Sequence, residues 1–261
     1  MILEARDVTA GYDADPVLRG ASLGIDAGSF TAVLGPNGSG KTTLLRVLLG
    51  LLPPGSGEAL IEGRAAASMT RLDIARIAAL VAQEQASAFA HTALEVVLMG
   101  RYPRRASGWF DSEADVAAAQ AALTAAGAAG LGDRVLSELS GGQQQRVAIA
   151  AALAQEPKAL LLDEPTANLD LAAQVTVYEL LHDLCRKRGV GVLAVTHDVS
   201  LAAMYCDRIA ILIEGRVTHT GTPAEVLTPE ILTKAFGTPV AVTAHPSTGT
   251  PVVLPVPEAK R

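Results

Sequence analysis

An α/β fold with a mostly parallel sheet follows from three features of the chain. A glycine-rich stretch, Gly35-Pro36-Asn37-Gly38-Ser39-Gly40-Lys41-Thr42, has an apolar run before it and a helix-forming run after it. Later apolar runs at 159–162, 190–195 and 209–213 are separated by helical stretches, the alternation expected of parallel strands buried on both faces. Apolar residues make up 49% of the 261 positions and aromatic ones only 3%, so a large core is expected, built mainly from Ala, Leu and Val.

The elements follow in order. Residues 2–9 alternate loosely and predict a first strand, with turns at Gly11-Tyr12 and Asp13-Ala14-Asp15-Pro16. A second strand is expected near 17–25. Phe30-Thr31-Ala32-Val33-Leu34 reads as a buried strand and 41–49 as a helix. Pro53-Pro54-Gly55-Ser56-Gly57 is expected to end that helix, with a short strand at 58–61 and a turn at Glu62-Gly63. Helix formers dominate 92–129, where Ser112-x-x-Asp115 predicts a capped start to a long alanine-rich helix. His245-Pro246-Ser247-Thr248-Gly249-Thr250-Pro251-Val252-Val253-Leu254-Pro255 predicts a turn and an edge hairpin, and 257–261 a loose tail.

Charge and composition narrow the function. A formal charge of −6 argues against a nucleic-acid surface, which needs clustered Lys and Arg. Cys185 and Cys206 do not resemble a disulfide framework, which suits a reducing cytoplasm. The first residues lack a basic stretch followed by an apolar one, so no signal peptide is expected. No uncharged apolar run approaches the ~20 residues of a membrane span, so a membrane role is expected to be peripheral.

The spacing G-x-x-x-x-G-K-T gathers backbone N–H groups, an ammonium and a hydroxyl into one loop. Gly35, Gly38 and Gly40 can take the positive φ angles such a loop demands and let the main chain approach an anion closely. The following helix turns its N-terminal dipole toward that anion. Lys41 is placed to reach β- and γ-phosphates, and Thr42 to ligate Mg²⁺.

Ala159-Leu160-Leu161-Leu162 ends in Asp163 and Glu164, two carboxylates at the edge of a strand that opens on the same crevice. Asp163 is placed to hold Mg²⁺ through its water shell, and Glu164 to polarise water for attack on a γ-phosphate. Leu139-Ser140-Gly141-Gly142-Gln143 opens another helix, where Ser140 and the glycine amides form either a second anion site or a simple helix cap. A second phosphate element in one small domain makes sense if it acts on a nucleotide held by another copy.

Taken together, Gly35 to Thr42, Leu139 to Gln143, Leu160 to Glu164, Asn168-Leu169-Asp170 and His197 resemble the ATP-binding cassette family, in its order and spacing and over nearly the whole chain. The resemblance implies a P-loop NTPase, RecA-like core with an N-terminal antiparallel β subdomain and an inserted helical subdomain. It implies a single cassette over 1–261: core at 1–88 plus 155–240, helical part at 89–154, and a C-terminal hairpin and tail at 241–261. ATP and Mg²⁺ are the implied cofactors. Gly35, Pro36, Asn37, Gly38, Ser39, Gly40, Lys41, Thr42 and Thr43 become nucleotide-binding, and two copies close head to tail as a homodimer. Ser140, Gly141, Gly142, Gln143 and Asp170 of one copy then meet the nucleotide site of the other.

Further roles are implied by the same resemblance. Tyr12 sits where the family stacks an aromatic on adenine, although turn packing explains it too. Gln83 matches the glutamine that senses Mg²⁺ and the γ-phosphate; Ala82 replaces a frequent proline and Gln85 lies nearby, so both glutamines stay in view. His197 is expected to contact the γ-phosphate and steady Glu164, and Asp170 either to cross the dimer or to cap a helix.

His91 to Arg105 and His245 to Pro255 look like the ATPases of importers for iron-siderophore, haem and cobalamin. Such importers pair two cassettes with two transmembrane permeases and a substrate-binding protein, with the cassettes peripheral on the cytoplasmic face of the inner membrane. Arg101, Tyr102 and Arg104 then become candidates for the permease-facing surface, or else form a solvated basic loop. Three other readings each discard something. A chromosome-type cassette carries long coiled coils between the phosphate loop and the Ser140 motif, where this chain has room only for a compact helical region. A translation factor carries two cassettes in one chain, and a small-molecule kinase leaves Leu139 to Gln143 unexplained.

Overall fold

The computed structural model describes residues 1–12, 15–83, 90–105 and 111–257. Two strands open the chain, β1 (Leu3–Ala10) and β2 (Leu18–Ile25), paired antiparallel. A fully buried β3 (Phe30–Leu34) then runs into the glycine loop and α1 (Lys41–Leu48). The chain returns through β4 (Ser56–Ile61) and the two-residue β5 (Arg64–Ala65), which join β1 and β2 in an antiparallel sheet of order β2-β1-β4-β5.

A short α2 (Arg71–Ala75) leads to β6 (Ala78–Val81). Three helices follow: α3 (Ala93–Met99), α4 (Glu113–Ala125) and α5 (Gly141–Ala154) pack on one another. Ser112 and Asp115 form the predicted capping box at the start of α4. The chain re-enters the sheet at β7 (Ala159–Asp163), then alternates α6 (Leu171–Arg188), β8 (Gly191–Val195), α7 (Val199–Tyr205) and β9 (Arg208–Ile213). An antiparallel β10 (Arg216–Gly221) closes the edge, giving the order β10-β9-β3-β8-β7-β6 with every pair from β9 to β6 parallel. Two helices, α8 (Pro223–Val226) and α9 (Pro229–Phe236), precede a separate hairpin of β11 (Val240–Ala244) and β12 (Pro251–Pro255).

The long apolar runs are explained by burial on both faces. Along β3, β7, β8 and β9 successive residues feed two cores in turn. Phe30, Leu160, Leu162, Val192 and Ile209 face the helices α5, α6 and α7, while Val33, Leu161, Leu193 and Leu212 face α1 and the antiparallel sheet. A strand with two dry faces has no polar side to alternate with. Cys185 and Cys206 lie unpaired in the first of these cores, and burial pushes the Cys185 thiol up to about 12.

Some expectations are corrected. α1 ends at Leu48 because Gly50, at φ 62°, takes the left-handed position that closes a helix, so the prolines at 53 and 54 come after the turn is already made. The C-terminal hairpin is not an edge of either large sheet; β12 packs on α7 instead. Asp13, Ala14 and the tail beyond Pro257 lie outside the described residues.

Arg101 departs most from the sequence reading. It is buried, 8% exposed, and so cannot belong to an outer basic surface. Its guanidinium pairs with Asp115 at 3.2 Å, donates to the Ala154 carbonyl at 2.7 Å and meets Glu156 at 2.8 Å, tying the start of α4 to the end of α5. Arg104 donates to the carbonyls of Gln155, Arg76 and Glu156, which leaves Tyr102, 71% exposed, as the outward group of the trio. Replacing Arg101 strands a buried carboxylate: Arg101→Met is expected to cost about 3 kcal/mol in urea unfolding. Tyr102→Ala should stay within about 0.5 kcal/mol.

Candidate functional site

The parallel strands all end at one edge of the sheet, and the loops that leave this edge carry the chemistry. At the end of β3 the backbone turns so tightly past β9 that a Cβ on Gly35 would lie 2.1 Å from the Leu212 carbonyl oxygen. No side chain fits there, so the expectation of a positive φ at Gly35 is corrected: the residue is required by this close approach and its φ is not positive. Gly38 and Gly40, at φ 75° and 104°, complete the loop in conformations that L side chains rarely adopt. Asn37 and Gly38 stand exposed at its tip, Pro36 is half-buried, and Ser39 and Thr43 point inward.

Lys41 opens α1, and its side chain folds back over the loop. Its Nζ donates to the carbonyls of Gly35 at 3.0 Å and Pro36 at 2.9 Å, and only 7% of the residue is exposed. Burial holds the ammonium below the ordinary lysine pKa, while the charges of Glu164 and Asp163 pull it up. An anion reaching the loop therefore meets a partly dehydrated cation, where attraction is stronger than in bulk water. Next in sequence, the Thr42 hydroxyl donates to Asp163 Oδ2 at 2.7 Å.

A hydroxyl and a carboxylate in contact form a pair of hard oxygen donors, the kind that binds Mg²⁺ together with water and phosphate oxygens. The pair therefore fits that cation. Among the described residues no cluster of three or more His, Cys, Asp or Glu side chains could form an all-protein cage.

Three strand ends converge beyond it. Glu164 follows β7 at φ 51°, and its N–H is held by the Val195 carbonyl of β8 at 2.9 Å. That kink aims the carboxylate into an open cleft of about 440 Å³ lined by Thr166, Asn168, His197 and Asp198. His197, just past β8, places Nε2 2.7 Å from Glu164 Oε1. Gln83, just past β6, donates from Nε2 to Glu164 Oε2 at 3.3 Å. Both carboxylate oxygens are thus held by side chains from neighbouring strands. Gln85, the other glutamine in view, lies outside the described residues.

The second set of predicted residues is occupied within the chain. Ser140 caps α5: its Oγ accepts from the Gln143 N–H, and the Gln143 side chain accepts from the Ser140 N–H at 3.0 Å. Gly142 lets α5 approach α6, since a Cβ on it would stand 2.8 Å from that of Ala173, while a Cβ on Gly141 would stand 3.1 Å from Leu169 in the loop before α6. Asp170 caps α6 through the Ala173 N–H at 2.8 Å. The cap readings of Ser140 and Asp170 therefore hold in the single chain. Ser140, Gly141 and Asp170 nevertheless remain exposed.

Tyr12 is 54% exposed, and its hydroxyl accepts from Arg46 Nη1 at 2.6 Å. The guanidinium stands at the hydroxyl end, 5.6 Å from the ring centre. Arg46 was not anticipated. Its position on α1, four residues after Thr42, gives the signal that could have found it, because such residues share a helix face.

A sequence model described as ABC transporter matches residues 18–167. The chain belongs to the ABC transporter family. It is 41% identical to the hemin import ATP-binding protein of Bordetella avium, over 97% of this chain and 99% of that one. It is 39% identical to the cobalamin import ATP-binding protein of Halobacterium salinarum, over 99% of this chain but only 64% of the longer relative.

Among solved structures, this ABC family member superposes on one described as a metal-chelate type ABC transporter in an inward-facing conformation. The TM-score is 0.87 and the identity 30%, covering 100% of this chain and 99% of the other. A dimeric ATP-binding cassette in a post-hydrolysis state, bound to ADP and Pi, matches with a TM-score of 0.73 and 31% identity, over 84% of this chain and 98% of that one. The ABC cassette fold, with its parallel core and antiparallel sheet, is the one the sequence predicts.

The close approach at Gly35 yields a direct check. Gly35→Ala forces the loop away from Leu212 and is expected to lower stability by about 2 kcal/mol, measured as a shift in the urea midpoint. A midpoint equal to that of the parent would mean the loop can relax without cost.

Proposed function

We propose that the chain is the ATP-hydrolysing subunit of a membrane importer that takes up a metal chelate of the iron-siderophore, haem or cobalamin kind. The observation that carries the catalytic part is the grip on Glu164, whose two carboxylate oxygens meet His197 and Gln83 beside the Lys41 loop. The importer part rests on the likeness to the hemin and cobalamin import proteins and to the metal-chelate type transporter.

ATP is the substrate. Lys41 exchanges its two loop carbonyls for phosphate oxygens, and the N–H groups from Gly38 to Thr43 line the same cradle. Tyr12 offers its exposed ring to the base. Thr42 and Asp163 would hold Mg²⁺, with Gln83 at its margin; the cation supplies positive charge that offsets the phosphates. Glu164 takes a proton from the water whose oxygen attacks the γ-phosphorus, as the bond to the ADP oxygen breaks. His197 keeps the Glu164 carboxylate turned toward that water.

Ser140, Gly141, Gly142, Gln143 and Asp170 act on the nucleotide of a second copy, so the working form is a homodimer. The dimeric cassette bound to ADP and Pi supports this arrangement. Closure of the dimer on ATP moves two attached transmembrane permeases, and phosphate release reopens it. A substrate-binding protein joins through the permeases. Among the described residues no helix is long and apolar enough to cross a membrane, which fits a peripheral subunit at the cytoplasmic face of the inner membrane. The division into a core at 1–88 and 155–240, a helical part at 89–154 and a C-terminal part from 241 belongs to the same reading.

Glu164→Gln is expected to leave ATP binding intact, to slow hydrolysis by ~10² or more and to accumulate a dimer in the presence of ATP. Turnover at the parent rate would remove Glu164 from the mechanism. For the transporter role, the tagged chain extracted gently from its host membranes should carry a polytopic permease in stoichiometric amount. Ribosomal or chromosomal partners without a permease would overturn it.

A further inference from the structure

Tyr178 lies in the middle of α6 and is fully buried. Its ring is stacked on Phe30 of β3 at 5.9 Å and tilted against Tyr205 of α7 at 5.7 Å. A phenylalanine would fill that space equally well, without a hydroxyl that must be taken out of water. The hydroxyl has a particular destination: it donates to Thr196 Oγ1 at 3.2 Å. The same oxygen accepts from the Asp198 N–H at 3.1 Å.

Thr196 and Asp198 flank His197. The Thr196 N–H is itself fixed by the Val33 carbonyl at 3.2 Å, and Asp198 is anchored as the cap of α7 through the Leu201 N–H at 2.8 Å. One threonine oxygen therefore joins the residue before His197 to the residue after it, and Tyr178 supplies the bond that orients this oxygen from the core. Burial raises the phenol's pKa well above its ordinary value, so the group remains a donor across the physiological range.

We propose that Tyr178 is a positioning residue for ATP hydrolysis: through Thr196 it fixes the backbone that carries His197, and through His197 the direction of the Glu164 carboxylate. The proposal rests on the reading of Glu164 as the base that activates water. Tyr178 touches neither nucleotide nor water and acts only through the loop. Loss of its hydroxyl therefore lowers the rate of the chemical step and leaves nucleotide affinity alone.

The test uses the full chain, with single-turnover ATP hydrolysis at excess protein and ATP binding measured separately. Tyr178→Phe is expected to lower the hydrolysis rate about tenfold, with ATP affinity within about twofold of the parent. Thr196→Val should reproduce the loss and Thr196→Ser should restore the parent rate, since serine keeps the oxygen. On a His197→Ala background Tyr178→Phe should change nothing further, because the two act in series.

A parent rate in Tyr178→Phe, with Glu164→Gln inactive, overturns the proposal. So does an undiminished loss on the His197→Ala background, which would mark a general packing role. If Tyr178→Phe does not fold, the pair Thr196→Val and Thr196→Ser decides: equal rates in the two overturn the proposal. Full turnover in Glu164→Gln would instead overturn the reading of the base, so the two failures can be told apart.

Discussion

The structure depends on β3 lying in the middle of a parallel sheet, paired with β8 on one side and β9 on the other. Five fully buried residues leave this strand no freedom to shift, because a slip by one residue would exchange the groups that face the two cores. The loop at its end inherits that rigidity. Gly35 is trapped against Leu212, and Lys41 can reach the loop only by folding back over it. Parallel pairing does the rest, since β6, β7 and β8 must all deliver their ends to the same edge, where Gln83, Glu164 and His197 meet.

The parts of the fold that were legible in the sequence are those where one physical cause dominates. β3, β7, β8 and β9 could be read because two-sided burial produces unbroken apolar runs. The starts of α4 and α5 could be read because Ser112 and Ser140 cap them in a local pattern. β6 escaped because Ala78–Val81 is only four residues long and half alanine, which suits a helix as well as a strand. β10 escaped because its residues, Arg216–Gly221, are mostly polar and owe their strand form to pairing with β9.

The site divides in the same way. Gly35 to Thr42 and the pair Asp163 and Glu164 are contiguous in the chain, so their chemistry is visible in sequence. The grip of Gln83 on Glu164 spans 81 positions and exists because β6 lies beside β7, a fact of topology that no local pattern encodes. Arg101 illustrates the opposite error. Grouped with Tyr102 and Arg104 it reads as part of an outer surface or a solvated basic loop, yet its charge is used inside, against Asp115 and the open end of α5.

The missing side chains at Gly141 and Gly142 matter mechanically. A Cβ on Gly142 would crowd Ala173 of α6, and one on Gly141 would crowd Leu169 in the loop before it, so α5 presents bare backbone to both. The crossing lies at the first turn of α6, which Asp170 caps, and the loop before that cap runs back to Glu164. The helical bundle therefore meets α6 at a seam where α5 contributes backbone alone, so a methyl group added at Gly142 is enough to force the two helices apart.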